Sequence, residues 1–349
     1  MRNDAASRSR LWPWLRPLAG VGLLGVLVWW VGTRSVLDGL RMIDSGAVVG
    51  ALAIGAMTTV CTAWRWRLVA EGLGVRLPLA AAVAHCYRAV FLNATLPGGV
   101  VGDVHRAVRH GRDAGDVRRG IRAVLWERTA GQLVMVVVAV ILLVALPSPV
   151  RPFLPTAIAV LAVGALGAVL LARLLPTSGP SRVARALRTA VADVRAGLLA
   201  RRTWAAVLLV STLAVAGHLA TFVLAARTAG STAPVTRLVP LTLLALLAMA
   251  LPLNVGGFGP REGVAAWAFA AAGLTAAEGV ATALVYGTLV LVASLPGAVV
   301  LLFRRVGTAG PRTLDASLGA PVNSPGNASL GAPVEISRRR TAQPCVATR

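Results

Sequence analysis

Residues 129–150 read Thr129-Ala-Gly-Gln-Leu-Val-Met-Val-Val-Val-Ala-Val-Ile-Leu-Leu-Val-Ala-Leu-Pro-Ser-Pro-Val150, without a charged side chain. A helix needs about 20 apolar residues to cross the hydrocarbon of a bilayer, and this run supplies them. Working outward, the charged positions leave further uncharged stretches at 17–33, 45–64, 152–172, 203–226, 238–260, 263–277 and 279–303. Most are long enough to span. The whole chain is 56% apolar and only 14% charged over 349 residues. One water-soluble core cannot hide that much apolar surface, so the bilayer has to serve as a second apolar solvent. The expected fold is therefore all-α, a polytopic transmembrane bundle of about seven or eight membrane helices with room for an internal pseudo-repeat.

The 35 basic residues are all arginine, against 13 acids. They punctuate the apolar runs instead of lining a soluble face, which argues against a nucleic-acid partner. The arginine use together with abundant Ala, Val and Gly resembles a GC-rich bacterial composition. Cys61, Cys86 and Cys345 make no CxxC pair, so packing is the expected role and neither a metal nor a cofactor is expected.

Arginine placement sets the expected orientation. Four arginines precede residue 17, eleven lie within 65–128 and seven within 173–202, whereas the alternate connections 34–44 and 227–237 hold two each. The rich segments are expected inside, with both termini cytoplasmic in a bacterial cytoplasmic membrane. The chain then divides into a cytoplasmic N-terminal segment (1–16), a transmembrane domain (17–303) and a disordered cytoplasmic tail (304–349). The first span lacks an A-x-A site and reads as a retained anchor. The tail is polar and repeats Ser-Leu-Gly-Ala-Pro-Val at 317–322 and 329–334.

Two segments interrupt the membrane pattern. The apolar pieces 77–87 and 89–102 are separated by Arg88 and followed by Pro97, Gly98, Gly99 and Gly102, and 263–277 is short. Bent backbone at membrane depth requires burial in protein or a wet cavity, because lipid cannot satisfy freed amides and carbonyls. The two motifs are Asn93-Ala-Thr-Leu-Pro-Gly-Gly-Val-Val-Gly-Asp-Val-His-Arg106 and Leu251-Pro-Leu-Asn-Val-Gly-Gly-Phe-Gly-Pro-Arg-Glu262. Each has a Leu-Pro step, a Gly-Gly pair and then charges. Interrupted spans in two halves of a chain point to a transporter site. Glycine turns expose amide N–H groups, helix starts favour anions, and Arg106 and Arg261 add donors suited to phosphate.

The candidate headgroup-binding residues are Asn93, Gly98, Gly99, Gly102, Asp103, Arg106, Glu127, Arg128, Asn254, Gly256, Gly257, Gly259, Arg261 and Glu262. Glu127 and Arg128 stand before the run at 129, with Gly131 following, where they face the same cavity or anchor a helix end as an interfacial pair. The blander reading makes both motifs turns, with Asp103 and Glu262 paired to nearby arginines. His218 is read as a hydrogen bond between helices in preference to a proton relay. Asn93-Ala-Thr and Asn327-Ala-Ser match the glycosylation sequon and carry no weight in a cytoplasm-facing bacterial chain. No catalytic residue is expected: G-x-S-x-G, H-E-x-x-H, Walker A and a strand-borne G-x-G-x-x-G are all missing from the sequence.

At these residues the chain resembles the lysylphosphatidylglycerol synthase transmembrane, or flippase-like, family. The likeness rests on Asn93, Pro97-Gly98-Gly99 and Gly102-Asp103 with Arg106, then Glu127-Arg128 with Gly131, then Pro252 through Gly256-Gly257, Gly259 and Arg261-Glu262, over about residues 10–305. Pro260 stands where the family pattern leads one to expect a small or aliphatic residue. The resemblance implies movement of aminoacylated phospholipid between leaflets. Only 306–349 follow the membrane part, so lysyl transfer is not implied. Three functions are compatible: a lipid flippase or transporter, an enzyme on polyprenyl-linked or phospholipid substrates using Asp103, Glu127 or Glu262 as acid or base, and a scaffold for a cell-envelope enzyme. The expected partner is a membrane phospholipid or lipid-linked substrate.

Overall fold

An aspartate opens the first long helix among the described residues. Asp44 Oδ1 accepts the Ala47 N–H at 2.7 Å, capping α1 (Ser45–Gly72). The computed structural model describes residues 41, 43–96, 99–174, 182–200, 203–249 and 260–303. The uncharged stretch 17–33, the 304–349 tail and the glycine-rich 251–259 lie outside the described residues.

After α1 come α2 (Leu79–Thr95), α3 (Val101–Asp113), α4 (Val117–Ala145), α5 (Leu154–Leu174), α6 (Arg182–Asp193), α7 (Trp204–Thr228), α8 (Val235–Met249), α9 (Pro260–Ala271) and α10 (Ala276–Phe303). Among the described residues there is no strand. Among the described residues four helices, α1, α4, α7 and α10, are long and apolar enough to cross a membrane, and α8 and the start of α5 are shorter apolar helices. The chain is thus a polytopic helical bundle, as its apolar pattern requires.

Two boundaries differ from the charge-based reading. α2 runs through Arg88 without a break, and α4 starts at Val117, so Glu127 and Arg128 sit inside a helix and not before it. A charged side chain does not end a helix when partners inside the protein satisfy it. The ends of α4 are set instead by a cap and a proline: Asp116 accepts the Arg119 N–H at 2.9 Å and starts the helix, and Pro147 follows its C-terminal end.

α4 also shows how the bundle divides lipid from interior. Leu125, Leu133, Val137, Ile141 and Val144 are exposed at helical spacing, while Gly120, Val124, Glu127, Ala130 and Val134 are buried. The exposed stripe suits lipid tails. The buried stripe faces α1, α3 and α7. One core gathers Phe222, Leu238, Leu241, Phe269, Tyr286 and Leu289. A second gathers Ala63, Trp66, Ala82, Cys86, Ala107 and Ala123 from α1 to α4, and its small residues let these four helices approach closely.

Candidate functional site

The site begins where α2 breaks. Leu96 leaves the helix in extended geometry and Gly99 takes φ +60°, a left-handed conformation that favours glycine. Val100 gives α3 no side-chain cap. Asn93 of the preceding helix substitutes for one: its Oδ1 accepts the Gly102 N–H at 2.7 Å and its Nδ2 donates to Asp103 Oδ2 at 2.7 Å. Gly102 permits this clasp, since a Cβ there would lie 2.2 Å from the Ala89 carbonyl oxygen.

The clasp delivers Asp103 into a cluster of charges. Arg106 Nη2 lies 2.9 Å from Asp103 Oδ1 and 2.6 Å from Glu127 Oε2, and Arg128 Nη2 donates to Asp103 Oδ2. Glu127 is fully buried. Its other oxygen accepts Arg65 Nε at 2.9 Å and Arg65 Nη2 at 2.5 Å, and Arg65 Nη1 donates to Ser211 Oγ at 3.2 Å. The Arg106 guanidinium rests 4.7 Å from the Trp66 ring centroid and donates to Cys86 Sγ at 3.3 Å. Space for Arg65 comes from Gly131, where a Cβ would stand 2.8 Å from the guanidinium.

Seven side chains from five helices therefore share one buried polar knot: Arg65, Asn93, Asp103, Arg106, Glu127, Arg128 and Ser211. Burying charges costs several kcal/mol per ion unless they are paired and hydrogen-bonded, and here both carboxylates are bonded at both oxygens. Donor capacity is left over. Arg106 Nε and Trp66 Nε1 are buried with no hydrogen-bond partner among the described residues, and the Trp66 ring also packs edge-on against His110.

The second motif is built differently. Pro260 begins α9, where its missing N–H costs nothing because a first-turn amide has no intrahelical acceptor. Arg261, 2% exposed, donates from Nε and Nη2 to Glu262 Oε1 at 2.9 and 2.5 Å and lies 5.2 Å from the Tyr286 ring centroid on α10. The same helix supports α2 farther along, where a Cβ on Gly297 would meet the Tyr87 carbonyl oxygen at 2.1 Å. Gly98, Asn254, Gly256, Gly257 and Gly259 lie outside the described residues.

Of the residues expected at the site, the structure gathers Asn93, Gly102, Asp103, Arg106, Glu127 and Arg128, with Gly99 at the turn that leads in, and places Arg261 and Glu262 against α10. Both motifs do contain the carboxylate–arginine pairs of the blander reading, yet the first draws in α1, α4 and α7 as well. Arg65, Ser211 and Trp66 escaped sequence reasoning. In the sequence Arg65 is the charge that ends the run 45–64 and one of the arginines of 65–128, although Glu127 and Gly131, four residues apart on one face of α4, mark room for a guanidinium. His218 is seven residues after Ser211, hence on the same face of α7. Outside the spanning helices, the Arg119 backbone N–H holds the Asp116 carboxyl below its ordinary pKa. Cys61 and Cys86 are buried free thiols. Among the described residues no three His, Cys, Asp or Glu side chains converge as metal ligands would.

Comparison with known proteins is consistent with this membrane architecture. No curated protein and no solved structure matches the chain. The family described as lysylphosphatidylglycerol synthase TM region matches residues 18–297, which include every helix of the knot. The chain is accordingly an integral membrane protein that belongs to the lysylphosphatidylglycerol synthase TM region family, a membership that ties it to membrane lipid metabolism or transport.

Proposed function

We propose that the chain is a lipid flippase or transporter that carries a phospholipid or lipid-linked headgroup across a bacterial cytoplasmic membrane, with both termini on the cytoplasmic side. The observation that carries this reading is Glu127: a fully buried carboxylate on a membrane-length helix, held by arginines from α1 and α3. Ionisable groups are expensive at membrane depth and mark polar pathways when they occur there. The knot stands at the interrupted α2–α3 segment, as transporter sites do. Acyl chains would remain in lipid while the headgroup crosses beside the polar side chains, so that a charged phosphate avoids the several kcal/mol cost of bare hydrocarbon.

An acid–base role for Asp103 or Glu127 has less support, because every oxygen of the two carboxylates is already engaged by an arginine.

Reconstitution of the full chain into liposomes with labelled phospholipids tests the proposal. Translocation is expected with wild type and is expected to fall with Asp103→Ala and with Arg261→Ala. Equal rates for wild type, both variants and protein-free vesicles would reject it.

A further inference from the structure

Taken with its exposed member, Arg128, the knot is not electrically neutral. Three guanidinium groups, Arg65, Arg106 and Arg128, face two carboxylates, Asp103 and Glu127. The four interior charges, Arg65 and Arg106 against Asp103 and Glu127, balance, so the surplus falls on Arg128 at the edge of the low-dielectric interior, where it calls for a counter-charge.

The three arginines are not equivalent. The Arg65 and Arg106 side chains are 10% and 3% exposed and both are fixed on Glu127. The Arg128 side chain is 46% exposed and bonds Asp103, a carboxylate that Arg106 and Asn93 hold without it. Arg128 follows Glu127 by one residue, so it projects about 100° around α4, between the buried stripe and the lipid-facing one. It is the arm of the cluster that a ligand arriving from lipid meets first. The interior offers further donors: Arg106 Nε and Trp66 Nε1 are buried and unpartnered among the described residues, next to the same charges.

We propose that Arg128 exchanges Asp103 for a singly charged phosphodiester, so that the site selects a monoanionic phosphate group and Asp103 holds Arg128 in readiness when no ligand is bound. This deepens the lipid-transport reading and rests on it for the source of the phosphate. The charge count supplies the selectivity. With Arg128 matched to one negative charge, Arg65 and Arg106 balance Asp103 and Glu127. A dianion overshoots that balance and a zwitterionic headgroup supplies no net charge toward it. Arginine also suits the task geometrically, since its planar fork bonds two phosphate oxygens at once.

The test is binding by the full-length protein in nanodiscs of phosphatidylcholine doped with phosphatidylglycerol, compared with phosphatidylcholine alone, and competed with dimethyl phosphate as a soluble monoanionic phosphodiester. Wild type is expected to favour phosphatidylglycerol by about tenfold, the scale of one charge-assisted hydrogen bond. Arg128→Gln is expected to erase that preference with little change in thermal stability, and Arg128→Lys to restore part of it. Asp103→Asn, which removes the built-in competitor and keeps the shape, is expected to bind phosphatidylglycerol more tightly than wild type. Competition by dimethyl phosphate that needs Arg128 supports the same anion chemistry with a free phosphodiester as its source. An unchanged lipid preference in Arg128→Gln, or weaker phosphatidylglycerol binding in Asp103→Asn, overturns the proposal. Because binding needs no translocation, a protein that binds selectively but moves no lipid would defeat the transport reading and leave this one standing.

Discussion

The two glycine-rich motifs look alike in sequence, yet their charges are neutralised in different ways. In 93–106 the Arg106 guanidinium answers a glutamate on α4, which in turn answers Arg65 on α1, 62 residues away. At 260–262 Arg261 answers the residue beside it and a tyrosine on α10. The first arrangement locks α1, α3 and α4 together, because no helix can move without uncovering a buried charge. The second ties α9 to the face of a ring on α10. A shared pattern of glycine and charge therefore says little about which region is rigid; the origin of the counter-charge decides it.

The sharpest way to break this contrast is to remove the shared acid. Glu127→Ala leaves Arg65 and Arg106 buried without their acceptor and is expected to cost about 3–5 kcal/mol, or to abolish folding. Glu262→Ala is expected to cost clearly less. Thermal unfolding in detergent measures both, and a double-mutant cycle on Arg65 and Glu127 should give a coupling well above that of Arg261 and Glu262.

A smaller difference is expected at the glycines. Gly102→Ala drives a methyl group into the Ala89 carbonyl and should lose about 1–3 kcal/mol by overpacking. Gly263→Ala on α9 meets no atom within 4 Å among the described residues and should stay within about 0.5 kcal/mol of wild type in the same melt. Equal losses at the two positions would mean that α3 does not lie on α2 as described.

Next comes the ring beneath Arg261. Tyr286→Phe retains the aromatic face and should be close to neutral, whereas Tyr286→Leu should lose about 0.5–2 kcal/mol of cation–π attraction together with some packing. Indistinguishable melts for the two variants would remove Tyr286 as the support of the second motif.

The smallest effect concerns pH. The folded pKa of Asp116 is depressed, so its contribution is complete above the ordinary aspartate value and is lost as pH falls through the lower folded value. Acid titration of stability should therefore show a slight excess loss in wild type relative to Asp116→Asn, confined to pH values below the ordinary carboxylate range.

Much of the fold was open to reading because lipid imposes a length. The run at 45–64 lies within α1, which continues to Gly72, and the runs at 203–226 and 279–303 became α7 and α10 with few changes at their ends. The errors share one cause. Arg65, Arg88, Glu127 and Arg128 interrupt the apolar pattern, yet each lies inside a helix. A charge ends a membrane helix only when nothing inside the protein can pair with it, and pairing is invisible along the chain. Asn93, Asp103 and Arg106 were found because glycine and proline mark the α2–α3 break. Arg65 was missed because no glycine or proline stands near it; its mark is Gly131, on another helix.

From its residues alone this protein was determined to be a helical membrane bundle, broken beside Asp103, with an excess of arginine to be accommodated. Hydrophobic burial depends on composition and period, and both can be counted in one dimension. Tertiary structure alone decided that Glu127 belongs to Arg65 and Arg106 and that Arg128 is left at the edge. Electrostatic pairing acts over a few ångströms between helices distant in sequence, so only the packed chain establishes which charges are held and which one is available.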